Sequence, residues 1–120
     1  MSVCWLLLLC RSWVQTQGAR GNLPFRPTDV GSYWDRHIQV DVVAVSTPEQ
    51  ACLLGEARYT SRPVESDVLA ELDDKAKRLT PAGWQAHLAL FSRSGFTADL
   101  RERAGREGVL LVDLEQVAAP

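Results

Sequence analysis

The hydrophobic positions of this chain change period several times, and each change predicts an element. Val3 to Cys10 is an unbroken apolar run. Leu6, Leu9, Trp13 and Gln17 fall near one stripe of a helix, which Gly18 to Asn22 would end. The prolines of Leu23-Pro24-Phe25-Arg26-Pro27 exclude a helix interior, because each biases its predecessor to extended geometry. Asp29 to Trp34 then reads as a short strand, and Asp35-Arg36 as a turn. Val40 to Val45 and Ala51 to Leu54 are β-branched or small apolar runs. Thr47-Pro48-Glu49-Gln50 between them has turn composition, which predicts a hairpin. Glu65 to Leu79 switches to helical period, with Val68, Leu72, Ala76 and Leu79 as the apolar stripe. Its acid-before-base pairs Glu71–Lys75, Asp73–Lys77 and Asp74–Arg78 are spaced i, i+4 on a solvated face. Thr80-Pro81-Ala82-Gly83 stops this helix. Trp84 to Phe91 is nearly continuous in apolar residues, as expected of a strand buried on both faces, and the helix before it supplies a crossover for parallel pairing. Thr97 is an N-cap for a helix through Arg106, Gly108 its C-cap, and Val109 to Leu114 a last buried strand.

The order α-β-β-β-α-β-α-β predicts an α/β fold, a mixed sheet of about five strands flanked by helices. Pairing Ser46 with Ala51 across the four-residue loop makes opposed positions sum to 97. That register sets Asp41 opposite Glu56 and Gln39 opposite Arg58. The period of two then puts Asp41, Glu56 and Arg58 on one face, and Val40, Val42, Ala44, Leu53, Gly55 and Ala57 on the other. Two facing carboxylates in an apolar hairpin repel, so a positive group is expected between them. A divalent cation with oxygen ligands suits that place, and Arg58 beside it could hold a phosphate. The alternative is a solvated pair, or one neutralised by a structural arginine.

Composition narrows the class. A chain of 120 residues, 46 % hydrophobic and 23 % charged, has room for one core. Residues 1–22 are expected to be the N-terminal helix of the domain, and 23–120 its α/β core. The net charge of −2 excludes a general attraction to nucleic acid, so any such contact needs a local patch of the eleven arginines. Cys4, Cys10 and Cys52 have no zinc-like spacing and read as reduced thiols. The run Val3 to Cys10 is too short to span a membrane. No Lys or Arg precedes it, Arg11 follows it, and no A-x-A cleavage site appears before Gly21. A cytoplasmic protein without a membrane segment is therefore expected. His87 falls inside a strand and is expected to be a packed residue, and His37 makes no recognisable pair with it.

Taken in order, the segments P-F-R-P-T-D-V-G-S-Y-W-D-R, V-D-V-V-A-V, L-L-G-E-A-R-Y-T, L-x-x-K-A and F-S-R-S-G-F-T resemble a known family. It is the C-terminal domain of unknown function found behind a P-loop ATPase module in many archaeal and bacterial proteins. The resemblance runs from about Leu23 to Leu114. It implies a restriction-endonuclease-like core, whose signature is an aspartate followed by (D/E)-x-K. On that basis Asp41 and Glu56 would hold Mg²⁺ or Mn²⁺, and Arg58 would stand where a lysine is expected. The chain departs from the pattern in three places. Gln39 replaces an acid, no acid precedes Asp29 in the first helix, and Arg58 replaces the lysine. Arginine clamps phosphate but does not easily lose a proton, nor does it replace a compact ammonium beside an attacking water.

Two functions follow from the resemblance. One is a metal-dependent nuclease acting on DNA through Asp41, Glu56 and Arg58, with activity weakened or lost through the Lys-to-Arg change. The other is a non-catalytic accessory domain that binds nucleic acid or protein for a P-loop ATPase. In that reading Arg36, Arg58, Arg62 and Arg93 are phosphate contacts, and Tyr33, Trp34 and Tyr59 are stacking surfaces. No G-x-x-x-x-G-K-[ST] phosphate loop occurs in these residues. An ATPase module would act in cis, within a longer chain, or in trans.

Overall fold

The structure, a computed structural model, describes residues 3–118; Met1, Ser2, Ala119, Pro120 and the side chains of Val3, Cys4, Trp5 and Ala118 lie outside the described residues. The elements run α1 (Val3–Ala19), β1 (Asp29–Trp34), β2 (Gln39–Ser46), β3 (Ala51–Arg58), α2 (Ser66–Leu79), β4 (Gln85–Ser92), α3 (Ala98–Glu107), β5 (Leu110–Asp113) and α4 (Leu114–Ala118). The strands form one sheet in the order β1-β2-β3-β4-β5. Short turns make β1, β2 and β3 antiparallel neighbours, whereas the crossovers through α2 and α3 make β3–β4 and β4–β5 parallel. The central strands are thereby covered on both faces, while β1 is an exposed edge. Leu6, Cys10 and Val14 of α1 and Val117 of α4 pack with Val42, Ala44, Leu53 and Phe91 on one side. Leu69, Leu72 and Ala76 of α2 and Leu100 of α3 pack with Val40, Cys52, Leu54 and Leu90 on the other.

Local chemistry sets the ends of most elements. Helix α1 runs through Gly18 and ends at Ala19, and Gly21 turns the chain away at a φ of 78°, which glycine adopts without strain. The Gly21 and Asn22 N–H groups donate back to the Gly18 and Gln17 carbonyls, so two otherwise orphaned acceptors are satisfied. The Thr97 hydroxyl accepts from the Leu100 N–H, and Gly108 at φ 71° closes α3, both as expected. Leu114 is a correction: it opens α4 rather than ending a strand. The Asp113 carboxylate accepts from the Glu115 N–H, and the Gln116 amide accepts from the Asp113 N–H. This reciprocal cap stops β5 after four residues.

The α1 stripe is turned by about one position from its expected place, whereas in α2 Leu72 and Ala76 are buried as expected and Val68 and Leu79 pack half-buried at the edge. In α1 the buried line is Leu6, Cys10 and Val14, with Leu9 and Trp13 beside it; in α2 Leu69, not Val68, is fully buried. Cys10 and Cys52 are free and buried, and burial first, then the charge of Asp41, pushes the Cys10 thiol up to about 12. His87 stacks on Phe25 at 5.6 Å, a packed residue as expected, and burial holds its pKa below the usual value. No helix among the described residues is long and apolar enough to cross a membrane.

Candidate active site

The hairpin register is the one expected, with Ser46 opposite Ala51 and Val42 opposite Gly55. The faces differ from expectation at one point. On the other side of β2, Gly31 of β1 faces Val43 but Tyr33 faces Val40, so Ser32 alone spans both Asp41 and Val42. That is a bulge in β2, and it moves Val40 onto the α2 face while Val42 stays on the α1 face. The bulge also turns Asp41 toward the neighbouring strand. Its Oδ2 accepts from the Ala57 N–H at 2.9 Å, a position where a regular ladder would use a β2 carbonyl.

Glu56 comes from β3, two residues before Arg58 on the same face. It is 5 % exposed, which would be costly for a lone carboxylate. Two cations answer it. Lys75 Nζ donates to Glu56 Oε1 at 2.9 Å and to the Gln39 carbonyl at 2.7 Å. The Arg58 guanidinium lies 3.4 Å from Glu56 Oε2 and also donates to the Ala57 carbonyl. Gln39, Asp41, Glu56, Arg58 and Lys75 together line a polar cleft of about 280 Å³. Burial raises the Glu56 pKa above the ordinary carboxylate value, Lys75 works against that rise, and Asp41 adds to it.

Lys75 is the residue that sequence reasoning missed. It was expected to pair with Glu71 on the solvated face, yet its partner is Glu56; the other two expected pairs, Asp73–Lys77 and Asp74–Arg78, do form. The signal was present in L-x-x-K-A. At 3.6 residues per turn Lys75 lies only about 60° around the helix from Leu72, so it flanks the buried stripe. The positive charge that answers the buried Glu56 is thus supplied by the chain itself.

The basic and aromatic residues singled out for nucleic acid gather at the same end of the sheet. Trp34 closes β1 opposite Gln39, Arg36 sits in the following turn, Tyr59 and Arg62 follow β3, and Arg93 follows β4. The Arg93 guanidinium covers the Tyr59 ring at 4.7 Å. The Ser94 hydroxyl donates to the Thr60 carbonyl and the Val64 N–H to the Gly95 carbonyl, which ties the two loops together. This is the carboxyl end of the parallel strands, where open α/β sheets place their ligands. A larger cleft of about 420 Å³ lies at the opposite end, between Asp73, Lys77, His87 and Glu107. Its charged groups are the surface pair Asp73–Lys77 and the exposed Glu107, whereas the smaller cleft holds the buried Glu56 and is the better site. No cluster of three or more His, Cys, Asp or Glu side chains suited to a metal occurs among the described residues.

Comparison with known proteins bears on the family and the fold. The sequence profile of a family described as "Archaea bacterial proteins of unknown function", DUF234, matches residues 8–77, more than half of the chain. No curated protein matches. The crystal structure of a repair endonuclease from Pyrococcus abyssi superposes with a TM-score of 0.60 at 15 % identity, over 88 % of this chain and 45 % of that one. The chain therefore spans less than half the length of that protein. At this identity the likeness shows the fold alone, which is restriction-endonuclease-like.

Proposed function

The chain belongs to the DUF234 family of archaeal and bacterial proteins of unknown function, and from its site we propose a nuclease-type domain that hydrolyses a DNA phosphodiester with Mg²⁺ or Mn²⁺. The observation that carries this reading is the convergence of Asp41, Glu56 and Lys75 on one polar cleft, from β2, β3 and α2. The donor set fits a hard cation. Asp41 uses Oδ2 on the Ala57 N–H, which leaves Oδ1 to ligate, and Glu56 is the second carboxylate. Magnesium is held by one or two carboxylates, with waters and substrate oxygens completing its shell, so two acids suffice. When bound, the metal supplies a polarised water and neutralises charge on the phosphate. Lys75 would place a compact ammonium beside that water, the role first given to position 58. Arg58 would then be free to clamp a phosphate oxygen.

One observation favours the alternative, a non-catalytic accessory domain that binds nucleic acid or protein for a P-loop ATPase in cis or in trans. Lys75 and Arg58 already neutralise Glu56, so the fold does not need a cation for charge balance. Nicking of supercoiled plasmid separates the two readings. The catalytic reading expects nicking with Mn²⁺ that chelator abolishes, and that Asp41→Asn and Lys75→Met each reduce at least tenfold. It also expects Mn²⁺ at a hundredfold excess over its Kd to stabilise the fold by about 2.7 kcal/mol, and Asp41→Asn to remove that shift. Arg58→Lys should give no gain of nicking, because Lys75 already holds the ammonium position. Absence of both nicking and a metal-dependent melting shift sinks the catalytic reading and leaves the accessory one.

A further inference from the structure

Tyr33, Trp34 and Tyr59 are the exposed large aromatic side chains among the described residues, and Trp34 is 77 % exposed. All three lie at the end of the sheet that carries the cleft. Tyr33 and Trp34 end β1, and Tyr59 follows the last residue of β3. Tyr33 lines a separate apolar pocket with Val43, Leu79 and Trp84 and donates its hydroxyl to Asp35, which leaves Trp34, opposite Gln39, and Tyr59, next to Arg58, as the rings that flank the cleft. Leaving a tryptophan in water forgoes one of the largest burial gains available to a side chain, so this pair calls for a ligand with flat, apolar faces. Arg36, Arg62 and Arg93 are exposed in the turns between and beyond these aromatics. In a chain of net charge −2 this is a local basic patch.

We infer that the cleft takes an unpaired nucleic-acid strand, whose bases stack on Trp34 and Tyr59 while Arg58 and Arg93 contact its phosphates. This rests on the reading of the cleft as a phosphodiester site, and it names the substrate class. Exposed aromatic rings combined with a basic track are how proteins hold single strands, because every base offers a π-face. A duplex hides those faces and is gripped mainly through its phosphates, for which arginines alone suffice. The spacing points the same way. β2 separates β1 from β3, so their ends stand about 10 Å apart. Bases stacked in a duplex are only about 3.4 Å apart. Two adjacent bases seated on the two rings must therefore be unstacked from each other, with the phosphate between them drawn over Asp41 and Glu56. The Arg93 guanidinium on one face of Tyr59 holds that ring in place and adds positive charge beside it.

The test is fluorescence anisotropy in chelator, so that no cleavage occurs, with a labelled oligo-dT of about twenty nucleotides and a hairpin duplex with the same number of phosphates. The expected result is single-strand binding at least tenfold tighter than duplex binding at one salt concentration. Trp34→Ala should weaken it about tenfold, Trp34→Phe should restore most of the loss, and neither should change the melting temperature or the duplex affinity. Equal affinity for the two probes would overturn the inference, and so would an unchanged single-strand affinity in Trp34→Ala. The readout is independent of hydrolysis: strong single-strand preference with no Mn²⁺-dependent cleavage of either the plasmid or the single-stranded oligonucleotide would refute the catalytic reading alone. Nicking without that preference would refute the substrate class alone.

Discussion

Lys75→Met removes one charge and keeps most of the side-chain volume, so it isolates what the ammonium does for the buried Glu56. In the parent the carboxylate has Lys75 at 2.9 Å and Arg58 at 3.4 Å, with side chains 26 % and 34 % exposed. Breaking a buried pair costs roughly 3 to 5 kcal/mol when the remaining charge has no other partner. Here the loss has a ceiling, because Glu56 can take up a proton instead. From an ordinary value of 4.5, protonation at pH 7 costs about 2.5 units at about 1.4 kcal/mol each, or ~3.4 kcal/mol. Arg58 retains part of the compensation, so about 2 to 3 kcal/mol is expected at pH 7. The sign with pH follows from the raised pKa. A carboxyl that binds its proton more tightly in the folded state gains relative stability as pH falls through its folded value toward 4.5. At pH 5 the ceiling drops to about 0.7 kcal/mol, and the mutant should lie within about 1 kcal/mol of the parent. Urea unfolding followed by circular dichroism at the two pH values measures both numbers. In Glu56→Gln the same Lys75→Met change should cost less than about 1 kcal/mol at pH 7. A loss of equal size at pH 5 and pH 7 would show that the Lys75 stem acts through packing and that the charge argument is wrong.

Two further outcomes test the scaffold around the site. Gly55→Ala should destabilise by about 1 to 3 kcal/mol in urea, because a Cβ there would stand 3.0 Å from Phe91 Cε2 and 3.4 Å from Val42 Cβ; a loss under about 0.5 kcal/mol would mean that the Phe91 ring yields freely. Asp35→Ala should lower the melting temperature at pH 7, since its carboxylate accepts from the Tyr33 hydroxyl and from the His37 and Ile38 N–H groups. Those bonds, the Tyr33 one foremost, hold its pKa below 3.8, so the gap between parent and mutant should close as pH falls through that lower value; a gap unchanged at pH 2 would place the effect elsewhere.

The parts of this protein that the sequence determined by itself are those written in neighbouring residues. Thr47-Pro48-Glu49-Gln50 and the alternation on either side set the β2–β3 register, and with it the approach of Asp41 to Glu56. Thr97 and Gly108 bounded α3 because a cap needs only a hydroxyl at one end and a tolerated left-handed residue at the other. The Asp113-Leu114-Glu115-Gln116 cap was equally local, but the apolar run from Val109 concealed it. Tertiary structure decided the rest. The bulge at Asp41 exists only because β1 pairs with β2 out of step, a contact between strands that no local pattern encodes. The partner of Lys75 was decided by burial. A surface pair such as Glu71–Lys75 is worth about 0.3 to 0.5 kcal/mol, whereas an unanswered carboxylate at the depth of Glu56 costs several, so the lysine goes to the buried acid 19 residues away. Periodicity shows which face of α2 is apolar, and only the packed sheet shows which charge lies beneath its edge.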